Sequence, residues 1–433
     1  MEANPPGGIT DPDSQPVYRR EKTMERSREK IIETYARHIY PGKVEFYRKY
    51  DIILVPEKRE GCFIFDMNGK RFFNCHCNGG VFNLGHRHPE IIRAVKEGLE
   101  TYDIGNHHLI SKPKAVLGEQ LANTMPDGLN QVVYGVSGGE AIDLAIKLAR
   151  GITGKGEIVS AVGGYHGHTG LAMAAGDARF SKLFQPTPQG FIQVPFNDSE
   201  SMEKTVSDKT AAVLLETIPA TLGMVTPEKD YLSRVRHICD QHGALLILDE
   251  VQAGYGRTGT LWGFENYNVV PDMVVLGKGM SGGIYPITAT VYSEKHASFF
   301  REDPFVHIST FGGSEIGCIA AIETLKITGN DEFLFHVRDL NSYFTKTFNS
   351  LGEKYPQLGF KLRGEGLMLG LEFKDEMTAL FIIKLLFDQG VYVVYSGNDP
   401  KVIQFLPVLT ISHAEADEIM NIMESCFQTM ATG

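Results

Sequence analysis

Five short apolar runs in the middle of the chain constrain its fold more than any other feature. They are QVVYGV (131–136), EIVSAV (157–162), AAVLLE (211–216), ALLILDE (244–250) and MVVLGKG (273–279). The last three are apolar almost without interruption, so neither face of such a strand is left for water. Helix-like stretches separate the runs. In SGGEAIDLAIKLARG (137–151) the apolar positions Ala141, Leu144, Ala145 and Leu148 fall on one helical face, and LSRVRHICDQHG (232–243) stops at a glycine. Buried strands alternating with helices predict a mostly parallel sheet covered on both sides, an α/β domain over 75–325.

Beyond 326 the texture changes. FKLRGEGLMLGLEF (360–373) reads as a hairpin, and a helix, VYVVYSG (391–397) and VIQFLPVLTI (402–411) complete a smaller α+β domain over 326–433. Residues 1–74 read as an arm followed by a segment packing with that small domain, its hairpin turning through Asn68-Gly69. The first 22 residues are polar, rich in Pro and Gly, and without an apolar signal core.

With 433 residues, 42% of them hydrophobic and 22% charged, the chain has the balance of a globular enzyme of more than one domain. A net charge of -11 argues against nucleic acid as the main partner. Six cysteines in this length make no disulfide scaffold and point to reduced thiols in the cytoplasm. No run of about eighteen apolar residues predicts a membrane span.

In an open parallel sheet, ligands bind beyond the carboxyl ends of the strands. Those ends carry Ser137-Gly138-Gly139, Tyr165-His166, Glu216, Asp249-Glu250 and Lys278. Gly138-Gly139 follow a strand and open a helix, where free N–H groups hold an anion or make an ordinary tight turn. Asp249 closes an apolar run, so its carboxylate needs a partner: a backbone donor, a metal or a protonated ring nitrogen. Lys278 stands between glycines at another strand end, where a desolvated amine attacks a carbonyl to form a Schiff base and the glycines leave clearance. Taken together, a phosphate cradle, an amine for an aldehyde, an acid for a ring nitrogen and a tyrosine for a ring face describe pyridoxal 5′-phosphate.

The chain also resembles the class III pyridoxal-phosphate aminotransferases, a fold type I group that includes ornithine, acetylornithine and 4-aminobutyrate aminotransferases and glutamate-1-semialdehyde aminomutase. The resemblance runs through NLGHRHP (83–89), SGGEA (137–141), YHGHT (165–169), LDEVQAGYGRTG (248–259), PDMVVLGKGMSGGIYP (271–286), STFGGSEIGCIAA (309–321) and LRGEGLMLG (362–370). It implies that Lys278 forms the Schiff base and shuttles the proton, and that Asp249 pairs with the ring nitrogen. Tyr165 and Val251 would cover the two ring faces, and Gln252 would bond the phenolic oxygen. Ser137, Gly138 and Gly139 would hold the phosphate, joined by Thr310 from a neighbouring subunit of a homodimer. Glu216 matches an acid near the cofactor. Arg363 would bind a substrate carboxylate, with the segment 78–81, ending at Val81, on the substrate side. The implied reaction is ping-pong transfer of an amino group to a 2-oxo acid.

Two departures stand out. The group often has Ser-Gly-Thr at the phosphate, and here Gly139 replaces the threonine; it often has Glu-Pro where this chain has Glu216-Thr217. Competing motifs are weaker. GYGRTG (254–259) fits a dinucleotide fingerprint but neither follows a strand directly nor opens a helix. The pairs His86/His88, His107/His108 and His166/His168 lack the acids or thiols that would complete a metal site, and read as hydrogen-bonded histidines. Racemisation, epimerisation or amino-group migration would use the same lysine.

Overall fold

The computed structural model describes residues 27–432. The expected N-terminal arm falls largely outside them. The described residues divide into two compact units that meet between Val55 and Pro56 in the chain. In the first, helices Arg28–His38 and Pro41–Lys49 are joined by an Arg48–Glu29 ion pair at 2.6 Å, and Arg28 Nη2 donates to the Ile53 carbonyl at 2.9 Å.

The second unit opens with β1 (Pro56–Glu60), β2 (Phe63–Asp66) and β3 (Arg71–Asn74), which pair antiparallel. The turn between β2 and β3 runs through Asn68-Gly69, where Asp66 Oδ1 accepts from the Asn68 and Lys70 amides.

The large sheet comprises β4 (Leu129–Gly135), β5 (Glu157–Ala161), β6 (Phe191–Val194), β7 (Thr210–Glu216), β8 (Leu245–Asp249), β9 (Met273–Leu276) and β10 (Thr288–Ser293). Their order in space is β4-β10-β9-β8-β7-β5-β6. The strands from β9 across to β6 are parallel neighbours, while β10 runs antiparallel between β9 and β4. The apolar runs lack alternation because both faces are covered. Leu214 of β7 and Ile247 of β8 join the core under helix Gly138–Thr153, and Val213, Leu215 and Leu248 join the core that includes helices Lys112–Asn123 and Tyr231–His242. The two strands that the sequence reading did not place are β6, an edge strand with a partly exposed Ile192, and β10, the antiparallel insert.

The C-terminal part adds β11 (Lys361–Glu365), β12 (Met368–Glu372), β13 (Val391–Tyr392), β14 (Val394–Tyr395) and β15 (Val402–Phe405). β11 and β12 form the expected hairpin, and β15 bridges β12 and β14. β13 instead pairs parallel with β3, so Phe73, Cys75 and Cys77 share a core with Phe344, Phe348, Ile403 and Phe405.

Arg257 ties these layers together. It is fully buried. Its Nε and Nη2 donate to Asn83 Oδ1 at 3.2 and 2.7 Å, and its Nη1 donates to the carbonyls of Leu367 at 2.9 Å and Pro407 at 2.7 Å. No carboxylate is among these acceptors, and burial lowers its pKa to about 10. GYGRTG is therefore a structural turn whose arginine satisfies three acceptors from three chain segments. Arg257→Met strands all three, and each buried acceptor left unpaired costs roughly 1–3 kcal/mol. Urea unfolding should show a loss of at least about 3 kcal/mol; a loss below about 1 kcal/mol would mean that water replaces the guanidinium at little cost.

Candidate active site

Strand register places the chemistry. Glu216 and Asp249 are paired residues at the ends of β7 and β8, and Asp249 pairs with Val275 of β9, three residues before Lys278. A cavity of about 410 Å³ opens beyond these ends. Its lining includes Ser137, Gly138, Gly139, Tyr165, Glu216, Asp249, Val251, Gln252 and Lys278, nine of the residues singled out from the sequence.

Asp249 is buried and held by two donors. Its Oδ1 accepts from the Val251 amide at 3.0 Å, and its Oδ2 lies 2.9 Å from His166 Nδ1. Burial works against the charged form of His166, but the Asp249 hydrogen bond and charge outweigh it and raise the imidazole pKa. Lys278 Nζ donates to Gln252 Oε1 at 2.8 Å. Burial lowers the lysine's pKa, against the pull of Asp249 and Glu216. Glu216 Oε1 accepts from the Tyr165 amide at 2.8 Å, yet desolvation lifts its carboxyl to about 7. The Tyr165 ring is held edge-on by His168 and Phe180, with centroids 5.3 Å away in each case.

The glycines flanking Lys278 do not supply its clearance, contrary to the sequence reading. A Cβ on Gly277 would meet Thr288 and Val251 at 3.1 and 3.3 Å, and one on Gly279 would meet Asn83 at 2.9 Å. They are glycines because neighbours pack against them. The space beside Nζ is bounded by Gly79, where a Cβ would lie 3.3 Å from the amine.

Three residues expected at the site are not part of the cavity lining. Thr310 sits exposed in the 303–312 loop, and Val81 is half-buried after the 77–80 turn. Arg363 on β11 is held by Glu372 at 2.6 Å and Asp399 at 3.1 Å. Sequence reasoning missed the partnership of His166 with Asp249. It set His166 beside Tyr165 but found no partner, because Asp249 is 83 residues away.

Residues 46–427 match the family described as aminotransferase class-III. The chain belongs to the class III aminotransferases. An uncharacterized aminotransferase of Archaeoglobus fulgidus is 49% identical over 397 residues, 92% of this chain and 93% of that protein. The N-acetylornithine aminotransferase structure from Stenotrophomonas maltophilia K279a superposes with a TM-score of 0.75 at 28% identity, covering 89% of this chain and 98% of that one. The ornithine aminotransferase structure from Toxoplasma gondii ME49, at 23% identity, shares the fold with a TM-score of 0.85, over 95% of this chain and 97% of that one. The chain is thus a pyridoxal 5′-phosphate-dependent aminotransferase, and membership does not favour the epimerase, aminomutase or nicotinamide readings.

The residues present fit that cofactor. At the start of helix Gly138–Thr153 the Glu140 amide is capped by Ser137 Oγ at 3.3 Å, while Gly138 and Gly139, whose amides have no intrahelical carbonyl partner, line the cavity. Gln252 spends Oε1 on Lys278 and leaves Nε2 buried without a partner, a donor free for a ring oxygen.

The raised Glu216 pKa sets a pH dependence. With a folded value of about 7 against an ordinary 4.5, the native state binds the extra proton between those values. This group's contribution to stability is therefore full below about pH 4.5 and is lost as pH rises through 7. In thermal melts, Glu216→Gln should gain on the parent chain as pH rises from 5 to 8. An offset that stays constant across that range would refute the assignment.

Proposed function

We propose that Lys278 is the residue that engages the cofactor's aldehyde and moves the reacting proton, with Asp249 supporting the ring nitrogen. The observation that carries this is the burial of one amine and two acids together at adjacent strand ends, with the amine's pKa lowered. When bound, pyridoxal 5′-phosphate supplies an exchangeable aldehyde and a ring that withdraws electrons from the reacting carbon. Lys278, shifted toward its neutral form, is fit to act as nucleophile and then as base. Asp249 is fixed by the Val251 amide and by His166, so its carboxylate is oriented. Tyr165 and Val251 would confine the ring from its two faces, and Gln252 would donate Nε2 to its phenolic oxygen. Ser137, Gly138 and Gly139 would bind the phosphate at the helix start. Glu216 would stand beside the ring as a carboxyl that is half-protonated near neutrality.

The expected cycle is ping-pong: an amino donor leaves as its carbonyl product before a 2-oxo acid binds. Arg363 is the proposed contact for a substrate carboxylate, and its geometry sets a condition. Asp399 or Glu372 must give way, and Glu372 can fall back on Lys401 at 2.6 Å. Val81 is proposed on the substrate side. The chain is proposed to work in the cytoplasm as a homodimer with shared sites, Thr310 reaching the partner's phosphate. Exposed Phe305, Val306, Ile308 and Phe311 flank Thr310, and exposed Ile104, Leu109 and Ile110 lie on a loop against theirs: the His108 and Phe305 rings are 6.0 Å apart. Such an apolar patch is the kind a second copy covers. The division into a large domain over 75–325 and a small domain over 326–433, with part of 1–74 attached, is proposed on the same footing.

Lys278→Ala should leave the circular dichroism spectrum intact and abolish both turnover and the visible absorption change on adding an amino donor. Retained turnover would overturn the assignment. Asp249→Asn should slow the same half-reaction by orders of magnitude. Ile110→Asp, at a fully exposed position, should dissociate the dimer in sedimentation and lower activity with it; a fully active monomer would refute shared sites.

A further inference from the structure

The phosphate cradle lacks the hydroxyl that a threonine at 139 would bring, and the structure shows what occupies that place. A Cβ built on Gly139 would sit 2.8 Å from Thr169 Oγ1, 3.1 Å from its Cγ2 and 3.5 Å from its Cβ. Thr169 therefore fills the volume that a side chain at 139 would enter. The approach is close along the backbone as well: a Cβ on Gly167 would lie 2.8 Å from Gly139 Cα.

The Thr169 hydroxyl is in an unusual state. Its Oγ1 is buried and has no hydrogen-bond partner, although the residue lines the cavity with Ser137, Gly138 and Gly139. It holds the N-cap position of helix Gly170–Ala175, where a threonine would ordinarily bond the helix's own first-turn amides. It makes no such bond, and the Ala172 amide goes instead to Asp143 Oδ1 at 2.7 Å. A buried hydroxyl that forgoes local capping is destabilising unless an acceptor arrives from elsewhere. The cavity is where one can arrive, beside helix-start N–H groups already suited to an anion.

We propose that Thr169 donates its hydroxyl to the cofactor's phosphate, replacing the hydroxyl absent at residue 139. The proposal rests on the site being the pyridoxal 5′-phosphate site. It makes Thr169 a binding residue for the phosphate, which leaves the ring and the aldehyde to other side chains.

The test compares two ligands that differ only in the phosphate. The full chain, freed of cofactor, is titrated with pyridoxal 5′-phosphate and with pyridoxal, and dissociation constants are measured by equilibrium dialysis. Thr169→Val keeps the shape and removes the donor. It should weaken pyridoxal 5′-phosphate binding roughly ten- to a hundredfold, as expected for a hydrogen bond to a charged group, and leave pyridoxal within about threefold. Thr169→Ser keeps the donor and should stay within about threefold of the parent for both ligands. Unchanged pyridoxal 5′-phosphate affinity in Thr169→Val, or an equal loss for the two ligands, would overturn this proposal alone. A parent chain that binds no pyridoxal 5′-phosphate would overturn the site assignment and this proposal with it. Should Thr169→Val fail to accumulate, Thr169→Ala set against Thr169→Ser gives the same comparison.

Discussion

The site depends on burying one amine and two acids at the same edge of one sheet. Parallel register makes this unavoidable: Glu216 and Asp249 end adjacent strands as paired residues, and the chain after β9 brings Lys278 to the same rim. Asp249 is held in place by the Val251 amide and His166. Desolvation disfavours charge on Lys278 and Glu216, and their pKa values move toward each other, the amine down and the acid up to about 7. Its surroundings thus make Glu216 protonatable near neutrality.

Two consecutive acids divide the labour where β8 ends. Asp249 is the last residue of β8 and Glu250 the first beyond it, and their side chains go to different places. Asp249 faces the cavity. Glu250 faces the core, where it accepts from Thr217 Oγ1 and from the Gly263 and Phe264 amides at 2.7 and 2.9 Å. Burial raises its pKa to about 7 as well, but it fastens the 263–267 turn and is not among the residues lining the 410 Å³ cavity.

What the sequence made legible was the part fixed by strands. Continuous apolar runs located β7, β8 and β9 because both of their faces are covered. The residues at and just past their ends were then forced to one rim, which is why Lys278, Asp249 and Glu216 could be named together, whereas Gln252 was named only through the family resemblance. The edge strand β6 is only four residues long with Ile192 turned partly to water, and β10 mixes threonines among its apolar residues, so neither stands out. The link between His166 and Asp249 was not legible, since nothing local marks a contact across 83 residues. Arg363 shows the same limit from the other side. Its neighbours Glu372 and Asp399 come from β12 and the loop before β15, and only the folded small sheet reveals that the guanidinium is already engaged.

The room around Lys278 was misread for a related reason. Glycines beside a reactive lysine suggest clearance, yet Gly277 and Gly279 are packed against Val251, Thr288 and Asn83. Clearance comes instead from a segment about two hundred residues earlier in the chain. Cys77, Asn78, Gly79 and Gly80 are all left-handed, with φ of 50, 50, 67 and 98°. For the two non-glycines this conformation costs on the order of 1 kcal/mol or more each. The turn is held by Asn74, whose Oδ1 accepts from the Cys77 amide at 2.8 Å, and by bonds from Cys75 to Tyr392 and Leu406 in the C-terminal part. Its effect is to bring backbone without a side chain to the amine at Gly79. A side chain there would press on Nζ at 3.3 Å and on Gln252 Oε1 at 3.5 Å, the two atoms whose hydrogen bond positions the lysine. The strain is therefore stored beside the buried amine, and the C-terminal part that anchors the turn through Tyr392 and Leu406 is tied through it to the cavity.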